Sequence, residues 1–224
     1  MPEKRTVFVC RGTGCVSGGG DAVYEALKRE LDKQGVTEAA IDFSGCHGFC
    51  QQGPNVVVEP DGIFYTHVDV DDAAEIVRSH LRQGKPVERL FYKDPVTDKP
   101  VPHYTDIKFY YEQQRVVMRN CGRINPERIG DYIAHGGYES LKKVLFTMQP
   151  LEVIDIIKRS GLRGRGGAGF PTGTKWEFCY KAPGDQKYMI CNADEGDPGA
   201  FMDRSILEAD PHAVLEGMTI AAYA

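Results

Sequence analysis

The apolar run Thr6-Val7-Phe8-Val9-Cys10 is rich in β-branched and aromatic residues, which predicts a strand over 6–10. A glycine-rich turn (Gly12, Gly14, Gly18 to Gly20) then leads into a helix over 22–34. On that helix Val23, Leu27 and Leu31 recur every four positions and leave a Lys/Arg/Glu face to solvent. A strand is expected at 41–43. The runs 56–59 and 63–67 flank Pro60-Asp61-Gly62, a turn signal between β-rich segments, and so predict a hairpin. A second helix over 71–82 places Ala74, Val77 and Leu81 on one side. The order β-α-β-β-α makes residues 1–83 a small two-layer α/β domain.

From 84 to 120 the periodicity dissolves. Pro86, Pro95, Pro100 and Pro102 stand among charged and aromatic residues, as in a semi-rigid linker. Its aromatic side chains (Phe91, Tyr92, Tyr104, Phe109, Tyr110, Tyr111) are expected to pack within the loop or against a surface. Residues 121–224 form the second region. Helices are expected at 137–148 and 150–159, the latter with Pro150 at its first position and Gly161 just past its end. A glycine loop over 161–169, a helix containing Trp176, a strand near 188–191 and an acidic loop over 194–199 follow. Asp210-Pro211 starts a last helix that carries Val214, Leu215, Met218, Ala221 and Ala222 on one face. That helix has no stop signal before Ala224, so the pattern is expected to continue beyond it.

Composition narrows the function classes. The formal charge is -5, with acids and bases interspersed and no basic run to track successive phosphates, so nucleic acid is not an expected partner. No stretch approaches ~18 apolar residues, so no membrane span is expected. The strand begins too early to leave room for a signal peptide, and a cytoplasmic location is the expectation.

Seven cysteines are present, and four fall in two tight pairs. Cys10 and Cys15 are separated by four residues, Cys46 and Cys50 by three, with a helix between the pairs. Loops at the ends of neighbouring strands can bring four thiolates together, because strands lie only ~5 Å apart. Gly14, Gly45 and Gly48 let the backbone approach such a site. A 2Fe-2S cluster, structural zinc and two disulfides all remain open from spacing alone. His47, inside the second pair, is expected to be a solvated loop residue, and Cys179 and Cys191 buried small thiols.

Gly164-Arg165-Gly166-Gly167-Ala168-Gly169 satisfies G-x-G-x-x-G, but it follows a helix instead of a strand, which rejects an ordinary Rossmann site. Its glycines can still turn amides toward an anion, with Arg163, Arg165 and Lys175 adding positive charge. A flexible surface loop is the plain alternative. Asn192, Asp194, Glu195 and Asp197 can hydrogen-bond a flavin edge or ribose hydroxyls, whereas the spacing misses a twelve-residue calcium loop.

The pairs Cys10/Cys15 and Gly45-Cys46-His47-Gly48-Phe49-Cys50 resemble those of the thioredoxin-like 2Fe-2S ferredoxins and the matching subunit of NADH dehydrogenases. Gly161 to Trp176 and Cys191 to Arg204 resemble the flavin-carrying subunit of NADH dehydrogenases. With Asn120-Cys121-Gly122 between them, the whole chain resembles the beta subunits of soluble NAD(P)-dependent hydrogenases and related formate dehydrogenases. The resemblance implies a thioredoxin-like 2Fe-2S domain followed by the N-terminal part of an FMN- and NAD(P)H-binding α/β domain. Cys10, Cys15, Cys46 and Cys50 would be the metal ligands. Gly164, Arg165, Gly166, Lys175, Asn192 and Asp194 would contact FMN. Gly167, Phe170, Phe178 and Glu195 would line the nicotinamide nucleotide pocket, and Ala168 belongs to the same cofactor loop. Electron transfer from NAD(P)H through FMN to iron-sulfur clusters is the implied activity, with other hydrogenase or formate dehydrogenase subunits as partners. The family's 4Fe-4S site would lie beyond Ala224. An iron-sulfur carrier or docking piece without dehydrogenase activity, and a zinc-stabilised adaptor, are the rival functions.

Overall fold

Strand β1 (Arg5–Cys10) pairs in parallel with β2 (Ala39–Ser44) and antiparallel with β3 (Val56–Glu59), which pairs with β4 (Ile63–Tyr65), in the order β2-β1-β3-β4. The computed structural model describes residues 4–224, so the first three positions of the expected 1–83 domain lie outside the described residues. Register explains the packing. Val7 faces Val58 and Val9 faces Val56, while Val56 and Val58 face Tyr65 and Ile63. Side chains alternate along a strand, so these six share one face of the sheet. There they bury with Val23, Ala26 and Leu27 of α2 (Gly20–Lys33) and with Ile76, Val77 and Leu81.

The expected helix over 71–82 is assembled from three helical types. Asp69 caps a 3-10 turn at Val70–Asp72 through a capping box with Asp72, then α3 (Ala73–Glu75) runs into a π-helix over Ile76–Leu81. The wider turn brings His80 into the interior with Leu81. There His80 Nδ1 is 2.7 Å from the Tyr65 hydroxyl, which also accepts the Val87 N–H at 2.9 Å.

The other face of the sheet presents Phe8, Val57 and Phe64. Tyr104, Ile107 and Tyr110 bury against Val57 and Phe64, with Phe49, Tyr92 and Val101 packed around them. Apart from Phe49, the covering residues come from a segment holding the short pair β5 (Tyr92–Lys93) and β6 (Pro100–Val101) and the one-turn helix α4 (Lys108–Tyr111). The proline-rich stretch thus supplies a second core.

Residues to Arg128, together with Asp197–Asp210, form one compact unit, and Ile129–Gly196 with Pro211–Ala224 form a second. The second unit holds α5 (Ile129–Ala134), α6 (Glu139–Thr147), α7 (Pro150–Ser160) and α8 (Thr172–Lys181). The chain then gives α9 (Met202–Ala209) to the first unit and α10 (Pro211–Tyr223) to the second. Helix α7 starts at Pro150 behind a Gln149/Glu152 capping box and stops at Gly161, whose φ is 70°. Helix α8 lies against α7 at Gly173, where a Cβ would come within 2.5 Å of Lys158 N. The buried position on α10 belongs to a carboxylate: Glu216 accepts the Tyr132 hydroxyl at 2.5 Å and the N–H groups of Tyr138 and Leu141 at 2.9 and 3.0 Å. It therefore places negative charge at the start of α6.

The strand expected near 188–191 is absent. Tyr188 and Ile190 are exposed and form no ladder among the described residues, and an extended segment without a pairing strand is no sheet.

Candidate functional site

Because β1 and β2 run parallel, the loops leaving them emerge at the same edge of the sheet, with Cys10 paired to Ser44 in the register. Cys10 ends β1, Cys15 lies on the short helix α1 (Thr13–Ser17), and Cys46 and Cys50 follow β2 directly. The Cys46 and Cys50 sulfurs are 3.9 Å apart. That is close to the ~3.8 Å edge of a tetrahedron with metal–sulfur bonds of ~2.3 Å.

Glycines bring the two loops together. A Cβ on Gly12 would stand 3.1 Å from Cys46 Sγ, one on Gly14 3.2 Å from Cys50 Sγ, and one on Gly53 2.7 Å from Cys15 Sγ. Only hydrogen fits at these positions, so the backbone closes directly on the sulfurs. Three of the four sulfurs are thus met by bare backbone, and this cradle fits a 2Fe-2S group. The Cys46 and Cys50 sulfurs pair at 3.9 Å and Cys10 hydrogen-bonds Cys15, an arrangement in two pairs that suits a dinuclear group.

Within each pair the shared hydrogen bond raises the pKa of one thiol and lowers that of the other. The hydrogen bond to Cys15, together with burial, pushes Cys10 up, and the same bond pulls Cys15 down. The bond from Cys50 holds Cys46 down to about 6, while that bond and burial push Cys50 up. Further donors surround the sulfurs: the Gly48 N–H lies 3.4 Å from Cys46 Sγ, and Asn55 Nδ2 lies 3.7 Å from Cys15 Sγ. Helix α9 closes the other side, with Ser205 Oγ 3.7 Å from Cys46 Sγ and Arg204 Nη2 3.9 Å from Cys50 Sγ. None of Asn55, Arg204 and Ser205 stands near a cysteine in sequence except Asn55, five residues after Cys50, so the sequence carried little signal for them.

His47 corrects its expected solvation. It is 2% exposed and lies among Phe64, Tyr104 and Tyr110, with Nδ1 3.0 Å from the Tyr110 hydroxyl and Nε2 without a hydrogen-bond partner. Burial, with the nearby Arg115 charge, holds its pKa down to about 3, so it is a neutral packing residue at ordinary pH. Cys179 and Cys191 are also corrected, since both are exposed. Cys179 lies on a helix face open at the chain's own surface, and Cys191 on the unpaired segment after Tyr188. Cys121 is instead fully buried and packs with Cys46 and Ala209.

In the second unit the glycine loop is a closed hairpin. Gly164 N–H donates to Phe170 O and Thr172 N–H to Leu162 O, both at 2.9 Å, and Arg163 reaches Gly169 O. Gly167 and Gly169 take positive φ (98° and 61°), and a Cβ on Gly166, Gly167 or Gly169 would meet only open space. Gly164, Gly166, Ala168, Phe170 and Lys175 share a cleft of about 600 Å³, with Trp176 and Met189 among its other walls. Arg165 and Gly167 stand in the same loop, and the Phe178 ring lies 6.3 Å from that of Phe170. Open, left-handed backbone beside Lys175, in a cleft of small-ligand size, fits the phosphate end of a flavin nucleotide. Asn192, Asp194 and Glu195 do not line this cleft, and Asn192 is spent in part on the Asp194 N–H at 3.1 Å. Trp176 and Cys179 on α8 also line the cleft, and the sequence reading gave neither of them a place there.

Comparisons place two families on the chain. Residues 2–81 match the family described as thioredoxin-like [2Fe-2S] ferredoxin, and residues 157–224 match the Nuo51 FMN-binding domain. The chain is 65% identical over 113 residues to the NADP-reducing hydrogenase subunit HndC of Solidesulfovibrio fructosivorans, covering 50% of this chain and 23% of that protein. It is 33% identical over 232 residues to the NAD-reducing hydrogenase HoxS subunit alpha of Cupriavidus necator, covering 99% of this chain and 35% of that protein. The chain therefore spans about a quarter to a third of these relatives. The crystal structure of a thioredoxin-like ferredoxin from Aquifex aeolicus matches with 39% identity and a TM-score of 0.37, over 39% of this chain and 89% of that one. No helix among the described residues is long and apolar enough to cross a membrane.

Proposed function

We propose, from a chain whose residues 2–81 belong to the thioredoxin-like 2Fe-2S ferredoxins and residues 157–224 to the Nuo51 FMN-binding domain family, that it is an electron-transfer part of an NAD(P)H oxidoreductase. It would work with the other subunits of a hydrogenase or formate dehydrogenase complex. The observation that carries the reading is the double cysteine pair closed in by Gly12, Gly14 and Gly53. Cys10, Cys15, Cys46 and Cys50 would hold the 2Fe-2S group. Gly164, Arg165, Gly166 and Lys175 would hold FMN by its phosphate, with Asn192 and Asp194 reaching its polar edge. Gly167, Ala168, Phe170, Phe178 and Glu195 would border the nicotinamide nucleotide.

Bound, the flavin supplies the exchange of electron pairs with NAD(P)H and of single electrons with iron-sulfur groups. The chain's own residues bind and orient. Buried cysteines and the aromatic cage around His47 keep water from the sulfurs, and the open glycine backbone admits an anion without a steric conflict. Purified full-length gene product should contain both FMN and two irons per amino-terminal domain, and its visible absorbance should bleach on adding NADH or NADPH. A spectrum unchanged by either nucleotide refutes the assignment.

A second reading has one observation in its favour. Asn192 and Asp194 lie outside the loop cleft, so this stretch of chain alone presents half a flavin pocket. Half a pocket lacks the pre-organised contacts that give affinity. An iron-sulfur carrier or docking piece then follows, and iron without flavin in the purified 224-residue chain would select it.

A further inference from the structure

We infer that Ser205 and Arg204 of α9 are positioning residues for the iron-sulfur group, donating hydrogen bonds to the Cys46 and Cys50 sulfurs and thereby raising its reduction potential. The inference rests on the reading of the four cysteines as 2Fe-2S ligands.

The two residues are neighbours in sequence but reach different members of one cysteine pair. Ser205 Oγ lies 3.7 Å from Cys46 Sγ and Arg204 Nη2 lies 3.9 Å from Cys50 Sγ. As ligands these sulfurs would be thiolates, so the serine hydroxyl turns its proton toward Cys46 and the guanidinium N–H points to Cys50. Ser205 is 6% exposed and Cys46 fully buried, and little water is left to compete with or screen the contact.

The helix that carries them is anchored at both cysteine loops. A Cβ on Gly45 would fall 2.2 Å from Ala209 Cα, so Gly45 is what lets α9 lie directly on the backbone before Cys46. The Glu208 carboxylate accepts the Thr13 N–H at 3.0 Å and also the Thr13 hydroxyl, between Cys10 and Cys15. Asn120 Nδ2 donates to Asp210 Oδ2 at 2.7 Å just past the end of the helix. Arg204 is aimed by the Phe201 ring, 4.7 Å below its guanidinium, and by Glu208, 3.8 Å from Nε. Such a multiply fixed helix presents its donors in one geometry.

The consequence is electrostatic. Reduction adds negative charge to the irons and their sulfurs, and a donor or a cation beside a sulfur stabilises the more negative state. Gly48 and Asn55 supply such donors from within the ferredoxin-family segment. Ser205 and Arg204 supply theirs from within the flavin-family segment, about 155 residues further along. The potential of the first domain's group would thus be set in part by residues that the second family contributes.

The test is a redox titration of the full-length protein, followed by the paramagnetic signal of the reduced 2Fe-2S group. Ser205→Ala and Arg204→Gln should each shift the midpoint to more negative potential at unchanged iron content, and Arg204→Lys should recover part of the shift. The iron–cysteine sulfur stretching frequencies should rise in Ser205→Ala as the sulfur loses its donor. A midpoint that stays at the wild-type value in both Ser205→Ala and Arg204→Gln, with the irons retained, overturns the inference and leaves the proposed function standing. If Arg204→Gln loses iron, Ser205→Ala, which removes one oxygen atom, decides. Wild-type protein without two irons in the amino-terminal domain overturns the ligand reading and this inference together.

Discussion

Replacing Tyr110 by Phe removes one oxygen atom from beneath the second cysteine pair and should cost about 2–6 kcal/mol of stability. The Tyr110 hydroxyl donates to the His47 carbonyl at 3.1 Å and lies 3.0 Å from His47 Nδ1. With its proton committed to the carbonyl, it accepts from Nδ1–H. The substitution therefore strands one donor and one acceptor, each at about 1–3 kcal/mol when buried. His47 has no compensating route, because Nε2 already lacks a partner and burial keeps the ring neutral. The phenyl ring itself keeps its packing against His47, Phe49 and Tyr104, so a hydrophobic loss does not enter. Urea unfolding should show a lower midpoint with an unchanged slope. Loss of iron to a chelator should also accelerate, because His47 sits between Cys46 and Cys50. Tyr104→Phe is the control: its hydroxyl accepts only from the part-exposed Arg123, at 3.0 and 3.1 Å, and that guanidinium can turn to water. A Tyr110→Phe protein within ~0.5 kcal/mol of wild type, or no weaker than Tyr104→Phe, refutes the reasoning.

Three further outcomes are expected. Burial holds the His80 pKa below its ordinary value, opposed by Asp61 2.9 Å away; the unfolded chain then binds more protons below pH ~6.5, and stability falls as pH drops through that value. Unfolding midpoints between pH 7 and 5 should fall more steeply in wild type than in His80→Gln, and equal slopes would remove His80 from the account. Glu216→Ala leaves the Tyr132 hydroxyl and the Tyr138 and Leu141 N–H groups without their carboxylate and should cost about 3 kcal/mol or more, whereas a change below ~1 kcal/mol by urea unfolding would contradict the buried cap. Gly12→Ala drives a methyl to within 2.9 Å of Cys46 Cβ, so iron per chain should fall well below wild type by metal analysis; full iron loading would show that the glycine cradle is not what closes the site.

The sheet and the meeting of the four cysteines at one end of it were legible in sequence because both depend on local rules. A continuous β-rich run marked β1, the hairpin turn marked β3 and β4, and thiols at the ends of two parallel strands meet wherever those strands pair. The second core could also have been read. Val56-Val57-Val58 and Ile63-Phe64-Tyr65 are apolar without interruption, the mark of strands covered on both faces, and the aromatic stretch over 91–110 was the only nearby material to cover them. Proline content pointed instead to a linker. The buried states of His47 and Glu216 were not legible, since each is made possible by partners 63 and 75 to 84 residues away. For 188–191 the β-rich residues spoke for a strand, but a strand exists only with a neighbour to pair with.

Helix α9 shows where local reading stops. Its own periodicity would place it on any apolar surface, and nothing in its eight residues names the cysteine loops. What selects its seat is an absence: Gly45 has no side chain, so the backbone before Cys46 can meet Ala209, and two neutral polar partners then hold the C-terminal end of the helix, Thr13 for Glu208 and Asn120 for Asp210. Glycines at 12, 14 and 53 act likewise on the sulfurs. A residue type that contributes no contact of its own decides which distant segments can touch, so the cysteine positions follow from their spacing while the groups that reach their sulfurs follow from where glycine leaves room.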